Sequence, residues 1–244
     1  MFNKKEINER FPIESQTSTE DKLVILKLIT LFEKYNYCEI GSFLGGSLTP
    51  HLQTDACQHI LSIDDRERIQ PDERGISYSY VGITSNTMIA NLKLLDLDLT
   101  KLEIFDKSIQ HLPTFEKKYD LIFIDGEHTD NACFRDFLYS IKLVNDSGII
   151  LFHDSKIVYK GIQMCLIYLE ANSIPYKFIK VANSQMSIIF LGNYSTELFD
   201  EENPAEFYIN AEKYIIMEMI KNRSIVDNKV SDPTIEQITY NQEN

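Results

Sequence analysis

Cys38-Glu39-Ile40-Gly41-Ser42-Phe43-Leu44-Gly45-Gly46-Ser47 gathers three of the chain's nine glycines within six positions. The apolar run Tyr37 to Ile40 ahead of them reads as a buried strand, and Ser47 to Gln53 behind them reads as a helix. Glycines at such a junction let the backbone take left-handed turns and come close to a ligand, while the N–H groups opening the helix offer positive potential. A strand-to-helix turn that binds nothing needs fewer. The spacing is G-x-x-x-G-G, so the dinucleotide fingerprint G-x-G-x-x-G is absent.

Further short apolar runs follow at His59 to Ile63, Leu102 to Phe105, Leu121 to Ile124 and Ile149 to Phe152. Helical stretches separate them at Ser85 to Leu95, Asn131 to Val144 and Lys160 to Ala171. Strand and helix in alternation predict an α/β fold, a doubly wound and mostly parallel sheet. Tyr176 to Val181 and Met186 to Leu191 are joined by only four residues, too few for a parallel crossover, so the sheet is expected to close on an antiparallel hairpin. Thr17-Ser18-Thr19-Glu20 has the hydroxyls and carboxylate of a helix start, and the apolar residues behind it predict a covering helix. The expected organisation is an N-terminal segment over 1–17, polar and without period, a main domain over 18–192, a loop and helix over 193–226 and a polar tail over 227–244. The helix Ala205 to Arg223 carries more apolar residues than one core-facing stripe needs, which predicts a second packed face, against another copy of the chain or the substrate opening.

Composition narrows the function. Thirty-seven acidic against 24 basic side chains give a formal charge of −13, a field that repels nucleic acid and anionic membranes. Cys38, Cys57, Cys133 and Cys165 form no CxxC pair and three lie in apolar runs, so they are expected as reduced, buried thiols of a cytoplasmic protein. No run of 18 apolar residues predicts a membrane span.

Ionisable residues collect at the strand ends. Asp64 and Asp65 close the second strand about 20 residues after the glycines, where a carboxylate can accept both hydroxyls of a ribose. Ile124-Asp125-Gly126-Glu127-His128 and Phe152-His153-Asp154-Ser155 open at the same sheet edge. Carboxylates there can share a hard divalent cation, and a histidine, with an ordinary pKa of ~6.5, suits removal of a hydroxyl proton.

Glu39 to Ser47, Asp64, Asp106-Lys107-Ser108, Tyr119 to His128 and Gly148 to Asp154, in this order and spacing, resemble the class I S-adenosylmethionine-dependent methyltransferases. The resemblance spans residues 18 to about 192 and implies a seven-stranded, Rossmann-like sheet. It implies that Gly41, Ser42, Gly45 and Ser47 hold the methionine end of S-adenosylmethionine, with Glu39 beneath. Asp64 would take the ribose, a role for which Asp65 competes, while Asp106 and Ser108 would line the adenine and Asp125 would border the cofactor. Within the class, the chain resembles the metal-dependent O-methyltransferases that include macrolide-sugar methyltransferases and cephalosporin-hydroxylase-like proteins. That likeness implies magnesium or another divalent metal at Asp125, His153 and Asp154, with His128 as the base. A histidine at 153 departs from the pattern, where a carboxylate is expected, and leans the site toward manganese or iron. The expected activity is O-methylation of a small molecule, a sugar or glycosylated metabolite. It competes with metal-free N- or O-methyl transfer and with a cofactor-fold binding module without activity.

Overall fold

The computed structural model describes residues 2–13, 15–113 and 117–230. In chain order its elements are α1 (Lys4–Arg10), α2 (Thr19–Ile29), β1 (Tyr35–Ile40), α3 (Thr49–Leu52), β2 (Cys57–Ile63), β3 (Ile69–Asp72), β4 (Ile76–Ser79), α4 (Ser85–Leu94), β5 (Leu102–Phe105), β6 (Tyr119–Ile124), α5 (Asp130–Leu143), β7 (Val144–Phe152), α6 (Tyr159–Ala171), β8 (Lys177–Val181), β9 (Ser187–Phe190), β10 (Glu201–Glu202) and α7 (Pro204–Val230).

Eight strands form one sheet in the order β10-β8-β9-β7-β6-β1-β2-β5. The five from β7 to β5 are parallel, as their alternation with helices requires, while β9 runs antiparallel to both β7 and β8. Side chains alternate between the faces. Tyr37, Leu121 and Ile149 join the core under α1 and α2, whereas their neighbours Cys38, Ile122 and Ile150 join the core under α5, α6 and α7. Both cores are rich in aromatic side chains; Phe123 and Phe137 are fully buried, each contributing about 1.5–3 kcal/mol of transfer free energy. From β1 the chain builds outward through β2 to β5 and then crosses back to β6 on the other side of β1. That topological switch opens a crevice at the carboxyl ends of β1 and β6, where doubly wound sheets bind ligands.

Several expectations are corrected. The N-terminal segment contains α1, started by a reciprocal capping box between Asn3 and Glu6 and anchored through buried Ile7 and Phe11. The helix expected over Ser47 to Gln53 is a single turn, α3, since Pro50 tolerates only the first turn of a helix. An eighth strand, β10, extends the seven by pairing antiparallel with β8. A separate hairpin, β3–β4, rises between β2 and α4. Helix α7 reaches Val230, past the expected boundary at 226, so the start of the tail at 227–230 is helical and its remainder lies outside the described residues. Its inner face buries Phe207, Ala211 and Ile215, and Ile209, Ile216 and Met217 stand exposed on the outside. All four cysteines are free and buried. Among the described residues no helix is long and apolar enough to cross a membrane.

Candidate active site

A cleft of about 240 Å³ opens at the switch point, lined by the β1 loop, the ends of β2, β6 and β7, the β3–β4 hairpin and Ser15 to Thr17. Gly41 takes φ +93°, and its N–H donates to the Ile63 carbonyl at 2.8 Å. A Cβ on Gly41 would lie 1.9 Å from the Asp125 carbonyl oxygen, so only glycine lets the β1 loop and the end of β6 meet. Phe43, in the left-handed region at φ +44°, donates its N–H to Asp64 Oδ2 at 2.8 Å. Ser42 and Ser47 line the cleft with Gly41. Gly45 does not, because its open side faces Met88 and Leu92 of α4. Glu39 also stays out of the cleft: fully buried, it accepts from Tyr37 Oη and Ser47 Oγ, and burial pushes its carboxyl up to about 8.

The two acidic candidates after β2 separate. Asp64 lines the main cleft, and burial raises its pKa against the pull of Arg66 and the Phe43 N–H. Asp65 instead pairs with Arg68 at 2.9 Å and borders a smaller depression of about 30 Å³, together with Ser108. Gly41 and Asp64 belong to both hollows, so one elongated ligand could span them. Asp106 contacts Arg66, a buried guanidinium that also lies 3.7 Å from Asp64 and reaches into the cleft.

The ends of β6 and β7 bring the ionisable candidates together. Asp125 and His153 extend the parallel ladder by N–H donation to the carbonyls of Ile40 and Ile124. Asp154 is held at φ +50°, a conformation that costs a non-glycine residue about 1–3 kcal/mol and aims its carboxylate back over the strand ends. Ligand atoms of Asp125, His128 and Asp154 all lie within 4.8 Å of one another. His153 lies behind the trio, nearly buried, with Nδ1 3.0 Å from Asp125 and 3.1 Å from Asp154, and Nε2 3.4 Å from Asp21 of α2. Both its nitrogens are occupied by carboxylates.

These charges set one another. Burial alone would strip the proton from His153, but the carboxylates of Asp125 and Asp154 hold it well above its usual range. Burial raises Asp125 despite the nearby imidazolium. Asp154, between two histidines, is held well below a normal carboxyl against the burial penalty. His128 is likewise desolvated, yet its bonds to Asp154 Oδ2 (2.9 Å from Nε2) and Asp72 Oδ2 (3.0 Å from Nδ1) push it up to about 10.

Asp72, Arg74, Tyr78 and Tyr80 of the hairpin were absent from the sequence expectations. Tyr78 stands edge-on to the His128 ring at 6.1 Å, and Tyr80 edge-on to Phe43 at 5.6 Å, so the two tyrosines wall the cleft opposite the strand ends. The donor set fits a divalent cation: two carboxylates and an imidazole whose second nitrogen is held by a carboxylate, the usual support of a metal-bound histidine.

The fold is that of the class I methyltransferases. A family model described as a methyltransferase domain matches residues 38–155. TomG, an O-methyltransferase of tomaymycin synthesis from Streptomyces achromogenes solved with S-adenosylmethionine, aligns at TM-score 0.54 and 13% identity, over 77% of this chain and 86% of its own. An O-methyltransferase from Bacillus cereus solved with S-adenosylhomocysteine gives TM-score 0.53 and 15% identity, over 74% and 84%. An uncharacterised protein of Acanthamoeba polyphaga mimivirus is 28% identical over 165 residues, 64% of this chain and 71% of that protein. The chain has the class I methyltransferase fold, and its residues 38–155 match the methyltransferase domain model.

Proposed function

We propose that the chain transfers the methyl group of S-adenosylmethionine to a hydroxyl oxygen of a small polyhydroxylated acceptor, a sugar or glycosylated metabolite. One observation carries this reading: the glycine loop of β1 and the Asp125–His128–Asp154 trio face each other across one cleft, joined where Gly41 meets Asp125. The sulfonium supplies a methyl carbon that the acceptor oxygen takes in line, with the C–S pair returning to sulfur as a thioether.

The chain's own work is alignment and proton removal. Gly41, Ser42 and Ser47 face the methionine end, Asp64 the ribose, and Ser108 the far side of the adjoining hollow, with Asp106 acting through its pair with Arg66. Tyr78 and Tyr80 offer flat apolar faces of the kind a sugar ring stacks on, and the carboxylates beside them accept hydroxyl protons. His128 Nε2 is the acceptor-facing nitrogen. Asp154 holds it as an ion pair, and the same carboxylate belongs to the trio, so drawing Asp154 away lowers the ring's pKa, lets Nε2 release its proton to solvent and leaves a lone pair to act as base. A divalent cation on Asp125 and Asp154 would draw it away and would lower the pKa of a bound hydroxyl.

The test is twofold. Calorimetry with S-adenosylhomocysteine should show saturable binding that Asp64→Ala weakens. A panel of glycosides with methyl-labelled S-adenosylmethionine should then yield a labelled ether with magnesium or manganese present. Binding without transfer to any acceptor would leave only a cofactor-fold binding module.

A further inference from the structure

Asp72 is fully buried at the tip of the β3–β4 hairpin, 56 residues before His128, and its carboxylate has two kinds of partner. Oδ1 accepts the backbone N–H and Nε of Arg74, each at 2.8 Å, and Oδ2 accepts Arg74 Nη2 at 2.8 Å together with His128 Nδ1 at 3.0 Å. The backbone repeats the connection. Glu73 N–H donates to the His128 carbonyl at 3.0 Å, and Glu73 Oε1 accepts the Asp130 N–H at the start of α5. Behind the hairpin, Asn222 of α7 donates its side-chain amide to the Arg74 carbonyl at 2.7 Å. A two-stranded ribbon with little core of its own is thus tied to one histidine by its main chain and its side chains.

We infer that the β3–β4 hairpin is a positioning device for His128, with Asp72 as the residue that fixes the ring's orientation and tautomer. This inference rests on the reading of His128 as a working group of the methyl-transfer site. An ionised carboxylate flanked by a guanidinium can only accept, so Nδ1 must carry a hydrogen. With Nδ1 committed, Nε2 is the one nitrogen that can present a lone pair to the cleft, whether to a hydroxyl proton or to a metal. The groups around the ring are Asp72 on one side, Asp154 and Asp125 on the other, and Tyr78 edge-on. Asp72 touches neither methyl donor nor acceptor; it acts through the imidazole.

Asp72→Asn is nearly isosteric and separates orientation from packing. Arg74 donates twice to Oδ1 and once to Oδ2, so the carbonyl oxygen keeps the Oδ1 position, the Nη2 bond is given up, and the amide N–H is presented to Nδ1 and forces the ring into the Nε2–H form, with no lone pair toward the cleft. Nitrogen-15 NMR of the full chain saturated with S-adenosylhomocysteine reads this directly, with His128→Gln providing the assignment. The wild-type ring should carry a hydrogen on Nδ1 throughout pH 6–9, and Asp72→Asn should lose it while affinity for S-adenosylhomocysteine stays within about twofold. Turnover should fall about 10²- to 10⁴-fold, and Asp72→Asn should cost nothing more in a His128→Ala background. A wild-type ring protonated on Nε2 alone overturns the inference without any variant, as does an unchanged Nδ1–H in a folded Asp72→Asn chain or full additivity of the two substitutions. The NMR readout needs no acceptor, so it stands or falls separately from the proposed reaction.

Discussion

Gly41 and the carbonyl of Asp125 approach so closely that the β1 loop and the end of β6 are one structural unit. A Cβ at position 41 would lie 1.9 Å from that oxygen and 2.9 Å from the Cα of Gly126, both backbone atoms of central strand connections that cannot move apart without opening the β1–β6 ladder. At Gly45 the corresponding Cβ meets the Cγ of Met88 at 2.9 Å, a flexible side chain that can yield. Both glycines have positive φ, which alone costs an alanine about 1–3 kcal/mol. Gly41→Ala should therefore destabilise the fold more than Gly45→Ala, by roughly 1 kcal/mol or more in urea denaturation, because a backbone overlap adds to the same strain. Calorimetry should show S-adenosylhomocysteine affinity falling with Gly41→Ala and largely kept with Gly45→Ala.

Asp64 and Asp65 are adjacent in sequence and divided by structure. Asp64 accepts the Phe43 N–H and lines the main cleft, whereas Asp65 is committed to Arg68. Losing hydrogen bonds from ribose hydroxyls to a charged acceptor costs about 1.5–3 kcal/mol. Asp64→Ala should weaken S-adenosylhomocysteine binding about 10- to 100-fold and Asp65→Ala less than about threefold. Equal losses would return the ribose role to both residues.

Glu39 makes stability depend on pH. Its folded pKa of about 8 lies above the ordinary 4.5, so between those values the folded chain holds a proton that the unfolded chain has released. Its stabilising contribution is complete below about 4.5 and is lost as pH rises through 8. Unfolding free energy measured by urea titration should decline from pH 6 to 8 by an amount on the order of 2 kcal/mol from this group. Glu39→Gln, neutral at every pH, should flatten the slope. An unaltered slope would show that Tyr37 and Ser47 keep the carboxylate ionised.

The parts of the site legible in the sequence are those encoded locally. Gly41 follows an apolar strand, and Asp125, His128 and Asp154 sit at the ends of others, so alternation alone brings them to one edge. The hairpin was not legible: Ile69 to Asp72 and Ile76 to Ser79 are short, half polar and interrupted by Pro71, which lowers any strand signal, and its partner His128 is remote in sequence. Asp21 was hidden for another reason. It is the N3 member of the capping box that Ser18 opens on α2, and its other oxygen accepts from Ser184 Oγ and the Gln185 N–H far along the chain, beside His153. Helix α1 carried a readable signal in Asn3-x-x-Glu6 that the polar composition around it obscured.

His153 and His128 divide the charge of the strand ends in a way that makes the metal testable without turnover. Asp125 and Asp154 each face a histidine, and each histidine is held on its far side by another carboxylate, His153 by Asp21 and His128 by Asp72. A cation held by the trio would compete with His128 for the Asp154 carboxylate. Manganese should then bind one equivalent per chain by calorimetry. Asp154→Asn and Asp125→Asn should each weaken that binding at least about tenfold, in line with the loss of a carboxylate from an oxygen-rich site. Asp21→Asn should leave it within about threefold, since Asp21 only steadies a histidine outside the trio. In the transfer assay a chelator should abolish product and manganese restore it. Full turnover in chelator, with no manganese binding in the wild type, would assign the trio to proton transfer alone, with Asp154 as the permanent partner of His128.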